Sequence, residues 1–118
     1  MTEAPVEVFA ALGDPNRHRL LELLGVRGQA SASDLADPMM VSRQAVAKHL
    51  DVLERAGLVT SRREGRRVLY AVQRAALVGS AAWLTEAATR WDQALAAVKV
   101  AAEAAAAESV DRPGGDSD

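Results

Sequence analysis

Between residues 42 and 67 the chain gathers side chains that can read and hold a polyanion. Ser42, Arg43, Gln44, Lys48 and Arg55 lie on one segment, and Arg62, Arg63, Arg66 and Arg67 on the next. Glutamine can bond the N6/N7 edge of adenine, arginine or lysine the O6/N7 edge of guanine, and the methyl of Ala45 can meet that of thymine. Serine and arginine also hold phosphate oxygens, the role expected for Ser42 and Arg55. The net charge of −2 hides this block: residues 42–74 carry eight Lys/Arg against three acids, while 1–41 and 75–118 are both acidic on balance. A basic stretch between acidic flanks points to a local polyanion contact that does not extend to the rest of the surface.

Other chemistries lack their parts. The chain has no cysteine, so disulfides, thiolate metal sites and thiol nucleophiles are excluded. Its two histidines, His18 and His49, are too few for a histidine metal cluster, and His18 between Arg17 and Arg19 reads as a solvated or capping residue. Without a glycine-rich phosphate loop or a convergent Ser/His/Asp set, no enzyme, metal or cofactor is expected. The longest uncharged run, residues 75–85, is far shorter than a membrane span. With an acidic start lacking any leader pattern, the chain is expected to be cytoplasmic, without a membrane partner.

The elements that position these residues are mostly helical. A chain of 118 residues suits one domain, and its 25 alanines against four aromatics demand a core built from aliphatic helix faces. A short apolar stretch ends at Gly13. Asp14-Pro15 then starts a second helix, capped by Asp and opened by Pro, with Leu20, Leu21, Leu23 and Leu24 inward and Gly25 and Gly28 as its end. Ser31 and Asp34 have capping-box spacing for a third helix, cut short by Pro38. Ser42 caps a fourth, whose Val46, Leu50 and Leu53 recur at helical spacing up to Gly57. Its opposite face carries Gln44, Lys48, Asp51 and Arg55, and its exposed start Ser42, Arg43 and Ala45.

From residue 58 to 72 β-branched and aromatic residues flank Glu64-Gly65, a hairpin signature with four arginines around the turn. From 73 to about 108 the chain is helical again. Two heptad series run through it, Leu77, Leu84, Trp91, Val98 and Ala81, Ala88, Leu95, Ala102, a seam that wants a partner helix. Trp91 lies in that seam and is read as interface packing, not as a pocket wall. Residues 109–118, with Pro-Gly-Gly and scattered charge, are expected to be a disordered tail. Short helices followed by a basic hairpin are the order of a winged helix-turn-helix, mainly α with a small β-hairpin.

Three segments, FAALGDPNRHRLLELL, SDLADPMMVSRQAVAKHLDVLERAGLV and REGRRVLYAV, resemble the ArsR-type winged-helix transcriptional regulators over residues 6–72. The most diagnostic pattern is Ser-x-x-x-Val-x-x-His-Leu-x-x-Leu-x-x-Ala-Gly-Leu-Val. The resemblance implies a recognition helix over about 42–56, with Ser42, Arg43, Gln44, Lys48 and His49 as DNA contacts; His49 suits a structural hydrogen bond equally. It implies a wing over about 58–72, presenting Arg62, Arg63, Arg66 and Arg67, and a dimerisation helix over about 73–108, within a single domain 1–108. The N- and C-terminal helices then form the dimer interface through Val6, Phe9, Leu77, Leu84, Trp91, Leu95 and Val98. Many relatives sense metals through cysteines before the recognition helix or Asp/His/Glu clusters on the last helix; neither set is here, which resembles the branch without a metal site. The expected protein is a homodimeric repressor of double-stranded DNA with a palindromic operator, a small-molecule effector being left open. The competing expectation is a winged-helix module for protein association.

Overall fold

The chain turns where a residue can satisfy the exposed amides of a new helix. In the computed structural model, which describes residues 3–111, the order is α1 (Val6–Leu12), α2 (Pro15–Arg27), α3 (Ala32–Met39), α4 (Arg43–Arg55), β1 (Val59–Glu64), β2 (Arg67–Val72) and α5 (Arg74–Asp111). Asp14 caps α2 by accepting from the amides of Asn16 (2.8 Å) and Arg17 (3.3 Å). Arg17 in turn donates to the last carbonyls of α1, Nε to Ala11 at 2.7 Å and Nη2 to Ala10 at 3.2 Å. One junction thus satisfies the end of α1 and the start of α2 together. Contrary to expectation, α2 runs through Gly25; Gly28 caps it as expected, with a φ of 85° that favours glycine.

Ser31 and Asp34 form the expected capping box on α3, each side chain accepting from the other's backbone amide at 3.1 Å. Pro38, expected to cut this helix short, lies inside its last turn. A proline there has no N–H to give to the carbonyl four residues back, and that carbonyl, of Asp34, instead accepts from Arg27 Nη1 at 3.1 Å. Helix α3 ends at Met39 and is capped by Met40, which takes a left-handed φ of 58° and is 90% exposed.

Helix α4 starts at Ser42, whose Oγ accepts from the Ala45 amide at 3.1 Å. It closes in a Schellman arrangement, with Gly57 at φ 80°, the Leu58 amide on the Leu53 carbonyl (2.9 Å) and the Gly57 amide on that of Glu54 (3.0 Å). The strands pair antiparallel with Glu64 opposite Arg67, leaving Gly65-Arg66 as a two-residue turn. Positive φ falls on Gly65 (62°) and not on Arg66, the type II′ pattern that matches strand twist. Leu20, Leu24, Leu35, Val46, Leu50, Leu53, Leu58 and Val59 are fully buried, each contributing about 1.5 to 3 kcal/mol. They join α2, α3, α4 and the foot of the hairpin in one core, against which Leu77 at the start of α5 also packs.

Two units divide the chain, one running to Trp83 and one from Leu84 onward. The first holds α1 to α4, the hairpin and the beginning of α5. In the second α5 continues, and Leu84, Trp91, Leu95 and Val98 are all at least half exposed. Contrary to expectation, residues 109–111 of the expected disordered tail continue α5, and residues 112–118 lie outside the described residues. No helix among those described is long and apolar enough to cross a membrane.

Candidate nucleic-acid interface

Helix α4 buries Val46, Leu50 and Leu53, which leaves Ser42, Arg43, Gln44 and Lys48 exposed on its other side. Ala45 is half-buried, whereas Ala47, which the sequence reading passed over, is exposed and lies one helical turn from Arg43. Arg43 and Ala47 line a cleft of about 330 Å³ together with Ser31, Ala32, Ser33 and Asp34 of the α3 start, and Arg66, Arg67, Val68 and Tyr70 of the hairpin. The fold therefore brings the start of α4 and the tip of the hairpin around one concave surface.

The basic side chains of this region differ in what already holds them. Arg55 pairs with Asp51 at 2.9 Å, one turn back on α4. Arg62 pairs with Glu64 at 2.8 Å and donates to Gln29 Oε1 at 3.0 Å, while Arg67 pairs with Asp34. Arg43, Lys48, Arg63 and Arg66 have no hydrogen-bond or ion-pair partner among the described residues. Four of the nominated cations are thus uncommitted, and three are engaged within the chain.

Two carboxylates hold the frame: Asp34, expected only as part of the α3 cap, and Glu54, which the sequence did not single out. Asp34 is kept below the usual carboxylate range by hydrogen bonds from Ser31, backbone first and hydroxyl second, and by the Arg67 guanidinium. Glu54 accepts from Ser61 Oγ at 2.6 Å, fixing β1 to the end of α4. Burial pushes the Tyr70 phenol up, with Glu54 and Asp51 adding to the effect. His49 is half-buried. Desolvation raises Asp14, but the amides of Arg17 and Asn16 and the charges of Arg17 and His49 outweigh it and hold the carboxyl low.

Two nominated interface residues have company inside the protomer. Phe9 stacks edge-on against Trp83, and Leu77 rests in part on the core. Val6 is well exposed. Among the described residues no group of three or more His, Cys, Asp or Glu is placed to hold a metal ion.

Three capped helices, a hairpin closing on the last of them and an exposed, partly basic face define a winged helix-turn-helix. Residues 12–62 match the helix-turn-helix domain family. The chain is 30% identical over 88 residues to the transcriptional repressor SdpR of Bacillus subtilis, covering 75% of this chain and 97% of that protein. It is similar to the solved ArsR-like transcriptional regulator from Rhodococcus sp. RHA1, with 45% identity, a TM-score of 0.75, and 83% and 92% of the two chains covered. A solution structure from Mycobacterium bovis, of a homodimeric winged helix-turn-helix DNA-binding domain from a possible ArsR-family regulator, matches at 26% identity and a TM-score of 0.58, covering 70% and 76%. The chain belongs to the ArsR-type winged helix-turn-helix transcriptional regulators.

Proposed function

We propose that this protein is a homodimeric repressor that occupies a palindromic operator in cytoplasmic DNA, acting by binding and not by catalysis. Helix α4 is its recognition helix, the β1–β2 hairpin its wing and α5 its dimerisation helix. The observation that carries this reading is the cleft flanked by Arg43 of α4 and Arg66 of the hairpin turn, neither held by an acid among the described residues. In that arrangement α4 lies in the major groove, where Gln44 and Lys48 meet base edges, while Ser42, Arg43 and the wing hold the phosphates on either side. A two-fold dimer places two such helices in successive major grooves, with half-site centres about 10 to 10.5 base pairs, or a multiple, apart.

The names of the relatives support repression and dimerisation. The exposed Leu84, Trp91, Leu95 and Val98 of α5 supply an apolar face for a second copy. A footprint on the DNA upstream of the protein's own gene, followed by gel shifts over a salt series, tests the proposal. The expected result is a protected palindrome bound with affinity that falls steeply as salt rises. Absence of protection, or binding indifferent to salt, would favour the protein-association module.

A further inference from the structure

Arg67 and Asp34 are 33 positions apart in sequence, yet Arg67 Nη2 donates to Asp34 Oδ2. That same oxygen accepts the Ser31 amide at 3.1 Å, so one carboxylate closes the α3 capping box and receives the second wing strand. Beside it, Ala30 and Tyr70 exchange both backbone bonds, at 3.1 and 2.8 Å. Arg62 makes a further strut to Gln29. The hairpin is therefore tied to residues 29–34 at three places.

The strand register separates these struts from the remaining wing charge. Arg62 lies opposite Leu69, and Glu64 opposite Arg67, which puts all four on one face of the hairpin. Arg63, opposite Val68, belongs to the other face, and Arg66 sits at the turn. A guanidinium already bonded to a carboxylate adds little net attraction for a phosphate, and the carboxylate beside it repels one. Arg63 and Arg66 carry no such neighbour among the described residues.

We infer that Asp34 and Arg67 form a latch that sets the wing against the helix-turn-helix, and that the wing's charge toward DNA phosphates comes from Arg63 and Arg66. Arg67 is thus a positioning residue, acting through Asp34, and not a phosphate contact like its neighbours. The inference rests on the DNA-binding reading above for its charge assignment, and on the geometry alone for the latch.

The test uses the full chain and a fluorescein-labelled mixed-sequence DNA duplex of about 30 base pairs, long enough for two half-sites, followed by anisotropy over a sodium chloride series. Because each substitution removes one arginine from both protomers of the bound dimer, Arg63→Gln and Arg66→Gln should each lower the slope of log affinity against log salt by about 1.8. Arg67→Gln should keep the wild-type slope and weaken binding by about two- to fivefold, the scale of an exposed ion pair. Asp34→Asn is the sharper variant, because removing a negative charge tightens DNA binding by electrostatics alone, whereas the latch requires it to weaken binding. The double variant Asp34→Asn/Arg67→Gln should be no weaker than Arg67→Gln, and Arg67→Lys should recover most of the affinity. Amide hydrogen exchange without DNA should quicken at Ala30 and Tyr70 in Asp34→Asn and Arg67→Gln, but not in Arg63→Gln or Arg66→Gln. A slope loss in Arg67→Gln equal to that of Arg66→Gln, tighter binding by Asp34→Asn, or unchanged exchange would overturn the latch. If the wild-type chain shows no salt-dependent binding, the charge assignment falls with the DNA-binding reading, while the exchange data still decide the latch by themselves.

Discussion

The ring of Phe9 meets that of Trp83 edge-on, with centroids 5.7 Å apart and planes at 62°. The contact joins α1 to the start of α5 within one protomer, so Phe9 has a structural role whether or not a second copy is present. Truncating a half-buried ring and losing its aromatic partner should cost about 1 to 3 kcal/mol. Urea unfolding of Phe9→Ala at fixed protein concentration checks this, and an unchanged midpoint would mean that the rings touch without stabilising the chain.

Met40 holds a left-handed backbone and is 90% exposed. A Cβ in that region costs about 1 to 2 kcal/mol, of which glycine's greater freedom in the unfolded chain returns part. Met40→Gly is therefore expected to stabilise the protein by about 0.5 to 1 kcal/mol. Thermal unfolding that shows a loss of stability would place a packing role on a side chain that has almost none here.

Gln44 and Lys48 stand exposed on the side of α4 away from Val46, Leu50 and Leu53. Each alanine substitution should weaken operator binding by about 1 to 3 kcal/mol and relax the preference for one base position. Competition with single-base variants of the footprinted site measures both effects. Retained affinity and sequence preference would move the reading face elsewhere on the helix.

Trp91 and Leu95 are 71% and 65% exposed, on a stretch of α5 whose apolar residues gain from a partner. Trp91→Glu combined with Leu95→Glu should turn the dimer into a monomer and remove most specific affinity, because burying each side chain is worth about 1.5 to 3 kcal/mol. Sedimentation and gel shift on one sample decide the matter. A double variant that stays dimeric and binds normally would put the interface on other residues.

What could be read ahead of the structure was local. Ser31, Ser42 and Asp14 announce their helices because a cap and its amides lie within three residues of each other. Gly65 announces the turn because φ alone selects it. The apolar spacing of Val46, Leu50 and Leu53 likewise exposes the opposite face of α4 without help from other elements. Pro38 misled because its effect depends on Arg27, which reaches the orphaned Asp34 carbonyl from another helix. The four wing arginines looked equivalent because the partners that divide them, Gln29 and Asp34, are 33 positions away. Periodicity carries no information at that range. Ala47 could have been found, since it follows Arg43 at the four-residue spacing that aligns side chains along a helix.

The bridge between Ala30 and Tyr70 has a consequence for the order in which the molecule assembles. It closes a loop containing all of α3, α4 and β1, so the chain must lose more entropy to form it than to form any helical turn inside that loop. Helices α3 and α4 are then expected to gather around Leu35, Val46 and Leu50 before the hairpin seats. Pulsed hydrogen exchange during refolding should find the Ala30 and Tyr70 amides protected after those of α4. A nascent or partly unfolded chain would thus possess its groove-reading helix before its wing, and a fold-quality checkpoint on this protein amounts to asking whether the hairpin has docked.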